Sequence, residues 1–101
     1  MRDASRMPKK SSDSKIREVV AENVRYARAM RRWSQEQLAE LAGLHRTGIG
    51  ALERAEAAAT VDSVAALAKA IGVPAHVLLM PLRDAQPLIL QTLESGPKRS
   101  R

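Results

Sequence analysis

The sequence predicts an all-α fold of five short helices around an aliphatic core. Three observations carry that prediction. The run Gln35 to Arg54, QEQLAELAGLHRTGIGALER, reads as a helix, a glycine corner and a second helix. Apolar residues recur at three- and four-residue spacing in the flanking segments too. The 101 residues include no Phe, one Trp and one Tyr, so the core is built of Val, Leu, Ile and alanine, which suits close-packed helices better than a sandwich. The length allows one domain with tails.

Taken in order, residues 1–13 (MRDASRMPKKSSD) are polar and read as a disordered basic arm. The domain proper is expected over 14–80. Its first helix runs from Ser14 to Arg32, capped by Asp13 or Ser14, with Ile16, Val20, Val24 and Ala27 as its buried stripe. Ser34 is an N-cap, and Gln37 three residues on completes a capping box, so the second helix starts at Gln35. Leu38, Leu41 and Ala42 share its apolar face, and Ala39 is small where the next helix crosses. Gly43 supplies the left-handed residue that ends this helix and turns the chain. Ile49 and Leu52 then restart the apolar period. Thr60 caps a fourth helix from Val61 to Ile71, with Val64, Leu67, Ala68 and Ile71 facing the core and Gly72 stopping it. Pro74 to Met80 makes the fifth helix, opened by its proline. Residues 81–94 (PLRDAQPLILQTLE) are too apolar for a loose tail; they either fold back over their own domain or bury Leu82 to Leu93 against a second copy, and dimerisation is the expectation. Residues 95–101 read as a basic flexible tail.

The formal charge of +6 points to a polyanionic partner. Its distribution qualifies this. Residues 1–15 and 16–33 each carry five basic and two acidic groups, whereas 34–80 carry three basic and five acidic groups. The central helices are thus slightly acidic, and positive charge lies in helix 1 and the tails. No cysteine means no disulfide framework and no thiolate metal site. No apolar run approaches the ~20 residues that span a bilayer. A cytoplasmic protein without membrane contact is expected.

Four blocks in register carry a resemblance: S-Q-E-x-L-A at Ser34, A-G-L at Ala42, I-x-x-L-E at Ile49 and L-A-x-A-I-G-V at Leu67. Together, from Asn23 to Leu79, they resemble the λ-repressor/Cro helix-turn-helix family, also called the xenobiotic-response-element type. That resemblance implies a five-helix λ-repressor-like DNA-binding domain with helices 2 and 3 as the motif. It implies a double-stranded DNA partner, a palindromic site and a homodimer. The first motif helix crosses the backbone and the second enters the major groove.

His45, Arg46 and Thr47 then form the first turn of the reading helix. Arg46 is the strongest reader, because a guanidinium binds guanine O6 and N7 together. Gly50 and Ala51 sit one turn on, where they offer closeness but little hydrogen-bond information. Gln35 occupies the family's phosphate-contacting position at a helix N-terminus. Arg31, Arg32 and Arg54 are further candidates for the DNA backbone. The resemblance also implies that Arg28 pairs with Glu53, tying helix 1 to the back of the reading helix. Three departures stand out: Gly48 and Gly50 inside the reading helix, AEAAAT (55–60) without the glycine and basic residues often found there, and His45 in place of a short cap.

A rival class is a protein-interaction module of the same fold, an antitoxin or a bridging coactivator, for which the apolar Leu82 to Leu93 segment would serve. A restriction–modification controller is a further reading with the same DNA chemistry. Catalysis finds no support: the sequence has no glycine-rich phosphate loop, no nucleophile beside a base and no ligand-spaced histidine–carboxylate set, so neither metal nor cofactor is expected. His76 reads as a surface histidine, and Glu36 and Glu40 as solvated charge on one helix face.

Overall fold

The computed structural model describes the backbone of residues 6–99 and the side chains of residues 15–94. All regular structure among the described residues is helical. α1 spans Arg6–Arg31, α2 Gln35–Ala42, α3 Arg46–Glu53, α4 Val61–Ile71 and α5 Leu82–Arg99; a 3-10 segment, Ala75–Leu79, joins α4 to α5.

α1 is the spine, packed on α3, on the 3-10 segment and on α5. It buries Val20, Ala21, Val24 and Ala27. Asn23 lies on the same face, fully buried, because its amide finds work there. Its Nδ2 donates to the carbonyls of Leu78 at 2.9 Å and Met80 at 2.8 Å. A buried amide with partners satisfies the end of the short helix and ties it to α1.

The helix ends are set locally. Ser34 and Gln37 form the capping box at the start of α2, and Thr60 with Ser63 forms another at α4. Gly43 and Gly72 close those helices with φ of 72° and 98°. α1 and α3 lack such a glycine: Arg32 takes φ 58° and Ala55 φ 59° in the same role. Between these ends, Leu38 and Ala39 of α2, Ile49 and Leu52 of α3, and Val64, Leu67, Ala68 and Ile71 of α4 fill one core.

Several expectations need correction. α1 begins at Arg6, not Ser14, so the arm expected over 1–13 is helical from residue 6; residues 1–5 lie outside the described residues. Likewise α5 runs to Arg99 through most of the tail expected over 95–101, and residues 100 and 101 lie outside the description. The physical reason is shared. A helix nucleated by docking extends residue by residue without a new nucleus, and Pro8 falls in the first turn, where its missing N–H is not needed. The fifth α-helix is Leu82–Arg99 rather than Pro74 to Met80. That earlier stretch is a 3-10 segment because Pro81 drives Met80 into extended backbone (φ −86°, ψ 151°) after five residues.

The Leu82 to Leu93 segment folds back over its own domain. Ala85, Ile89 and Thr92 are buried, and α5 packs against α1. Its inward ridge is therefore occupied within the chain, while Leu90 on the same helix stays exposed. Two stripe residues also face out. Ile16, 54% exposed, lies on the wall of an open groove that it shares with Leu52 of α3 and Leu79 of the 3-10 segment. Leu41, 56% exposed, is rotated off the face shared by Leu38, Ala39 and Ala42, since each helical residue advances about 100°.

Candidate nucleic-acid interface

The corner that sets α3 against α2 is a three-residue turn. Gly43 N–H bonds back to the Glu40 carbonyl at 3.3 Å and Leu44 N–H to the Ala39 carbonyl at 2.8 Å, so the last turn of α2 is closed before the chain leaves it. Leu44, half-buried against the core, holds the far side of the corner. His45 precedes α3 in extended backbone, but its side chain makes no capping bond.

α3 has two unlike faces. Ile49 and Leu52 point into the core, while His45, Arg46, Thr47 and Gly48 are exposed. Ala51 is half-buried at the edge. Gly50 is buried, not presented: a methyl group there would meet Arg54 Nη1 at 3.2 Å and Gln35 Oε1 at 3.6 Å. Its expected place among base-contacting residues is corrected accordingly, because two side chains roof it. Arg46 stands out from the first turn, with its Nε 3.6 Å from Glu36 Oε2.

The back of α3 is fixed by Glu53, which is 4% exposed. Arg28 grips it from α1, with Nε donating to Oε2 at 2.7 Å and Nη2 to Oε1 at 2.9 Å. Gln35 Nε2 donates to the same Oε1 at 3.0 Å from α2. Arg25 Nη1 donates to the Glu53 backbone carbonyl at 2.6 Å, satisfying one of the free carbonyls at the end of α3. Arg28 Nη1 also reaches the Trp33 carbonyl at 2.9 Å. The hydrogen bond to Glu53 raises the Arg28 pKa further, against the pull of burial, so the guanidinium stays charged. A buried carboxylate is tolerable here because both of its oxygens are occupied.

The residues expected at the DNA backbone divide. Arg32 and Arg54 are exposed, the latter with Nε 3.0 Å from Glu56 Oε1. Gln35 keeps its place at the start of α2, but its amide N–H is committed to Glu53. Arg31 is not at the surface site at all, which corrects that expectation. Its Nη2 donates to the Ile71 carbonyl at 2.9 Å and to Thr92 Oγ1 at 2.8 Å, and its guanidinium lies 5.1 Å from the centre of the Trp33 ring. Burial lowers its pKa. Arg31 ties α1 to α4 and α5. Sequence reasoning missed Asn23 and Arg25 as well; an asparagine at the spacing of the buried stripe was the available signal for the first.

The helix-turn-helix family model matches residues 24–78, the span from the last two turns of α1 into the 3-10 segment. The chain belongs to the xenobiotic-response-element type of helix-turn-helix DNA-binding transcription regulators. It is 50% identical over 64 residues to the control protein C.SmaI of Serratia marcescens, covering 63% of this chain and 76% of that one. It is 35% identical over 80 residues to a hypothetical transcription factor of Neisseria meningitidis, covering 79% of this chain and 76% of the relative. The crystal structure of a hypothetical transcription factor from Neisseria superposes with a TM-score of 0.67 at 37% identity, over 75% of this chain and 87% of that one.

Proposed function

We propose that this helix-turn-helix regulator acts in the cytoplasm as a sequence-specific, non-enzymatic switch of transcription, and that it reads a two-fold operator as a homodimer. One observation carries the reading. His45, Arg46 and Thr47 protrude on the open side of α3, while Ile49, Leu52 and Glu53 anchor the other. A helix held in this way can enter a major groove without rearrangement. In the proposed complex Arg46 takes guanine O6 and N7, Thr47 meets a thymine methyl or a phosphate, and Ala51 and His45 line the groove. Arg32, Arg54 and the start of α2 at Gln35 meet phosphates.

With the inward ridge of α5 used within the chain, the proposed dimer seam draws on other apolar groups. Ile16 and Leu79 are both exposed and line one groove of about 360 Å³ with Ala57, Ala58 and Ala59. We place the second copy there. The internal docking of the α5 ridge supports the regulator reading over a protein-interaction module. The 50% identity to a control protein favours, within the regulator class, a restriction–modification controller.

Selection of bound duplexes from random DNA tests the proposal. The expected outcome is a symmetric consensus with half-sites about 34 Å apart, one helical turn. Failure to enrich any sequence, with the protein folded, would remove it.

A further inference from the structure

The contact between Glu36 and Arg46 has no structural task that its energy can explain. Both side chains are largely exposed, 76% and 57%, and the atoms stand 3.6 Å apart. An exposed pair of this kind adds roughly 0–1 kcal/mol to stability. An acid in the first turn of α2 suits the positive end of that helix, but Glu36 also sits beside the residue assigned to the bases. A carboxylate so near a phosphate backbone opposes binding. Its cost has to be offset by something done for recognition.

The atoms in contact indicate what that is. Glu36 approaches Arg46 at Nε, with Oε2 3.6 Å away. Guanidinium donors form a rigid fork, so a carboxylate that attracts the Nε side biases its orientation toward presenting the Nη1 and Nη2 edge to the groove. That edge matches the O6 and N7 pair of guanine. We infer that Glu36 is a positioning residue for DNA recognition, aiming Arg46 at a guanine and opposing its capture by phosphate on other sequences. The inference rests on the reading of Arg46 as the base contact. It predicts an inversion: Glu36 weakens binding to random DNA and sharpens choice.

The test uses the full chain, the duplex enriched from random DNA and an unrelated duplex of equal length. Glu36→Gln should tighten binding to the unrelated duplex several-fold and steepen its log K against log[salt] slope by about 0.9, one phosphate. The ratio of affinities for the two duplexes should fall roughly tenfold, about 1.4 kcal/mol of discrimination. Glu40→Gln removes the same charge one turn along α2, away from Arg46, and should leave the ratio unchanged. In the Arg46→Ala background, Glu36→Gln should have no further effect on the ratio. If Arg46→Ala abolishes discrimination but Glu36→Gln behaves like Glu40→Gln, the role of Glu36 is wrong and the base contact stands. If Arg46→Ala itself preserves discrimination, both are wrong. Far-ultraviolet circular dichroism of each variant confirms that the comparison is between folded proteins.

Discussion

Arg28 clasps Glu53 through two parallel bonds, Nε to Oε2 at 2.7 Å and Nη2 to Oε1 at 2.9 Å, across 25 residues of sequence. The fork joins α1 to the last residue of α3, at the end opposite its exposed first turn. Glu53→Ala should cost about 3–5 kcal/mol, because it strands a partly buried guanidinium and leaves Gln35 without its acceptor. Urea unfolding measures this directly. A loss below about 1 kcal/mol would mean that the clasp is not holding the fold.

Arg31 and Arg32 are neighbours with opposite assignments. Arg31→Ala should lose about 2 kcal/mol of stability, since the Ile71 carbonyl and Thr92 give up a charged donor. Its DNA salt dependence should not change. Arg32→Ala should leave stability near wild type and reduce the salt slope by about 0.9. Titrations at several salt concentrations beside denaturant curves separate the two, and exchange of these outcomes would refute the assignment.

Ala55 ends α3 at φ 59°, a conformation that strains a residue bearing a Cβ by roughly 1–2 kcal/mol. Ala55→Gly should therefore stabilise the protein by about 0.5–1 kcal/mol after the extra freedom of an unfolded glycine is subtracted. Gly48→Ala should gain about 1 kcal/mol, because a methyl there meets no atom within 4 Å. Melting temperatures of the two variants decide both.

The proposed seam predicts a clean separation in oligomeric state. Ile16→Glu introduces a charge into the groove beside Leu79 while keeping a good helix former on an exposed turn of α1. It should yield folded monomer. Leu90→Glu, on the outer side of α5, should leave the dimer intact. Sedimentation equilibrium reads the mass of each; a dimeric Ile16→Glu protein would place the contact elsewhere.

What could be read from the chain depended on how local each cause was. The Ser34–Gln37 capping box, the Thr60 N-cap and both glycine stops lie within four residues of the helix ends they set, so Ser34, Gln37, Gly43, Thr60 and Gly72 were legible directly, whereas the reciprocal bond to Ser63 appeared only in the structure. The spacing of Val64, Leu67, Ala68 and Ile71 fixed the inner face of α4 for the same reason. The Arg28–Glu53 clasp reached the sequence reading only through family resemblance, because nothing local links those positions. Arg31 looked like surface charge since its partners lie 40 and 61 residues away. Asn23 escaped notice because a polar residue in a buried stripe makes sense only once the carbonyls of Leu78 and Met80 are in place. The direction in which α5 docks was beyond pattern alone: apolar spacing reveals an amphipathic helix, not what covers it.

The frame bonds of Glu53 all lie at one end of α3, and none of them uses the side chains of His45, Arg46 or Thr47. On the proposed reading, changes of target preference and changes of thermal endurance can therefore accumulate separately in descendants of this chain. If those three positions read the operator as proposed, they can be exchanged for a new one without loosening the frame.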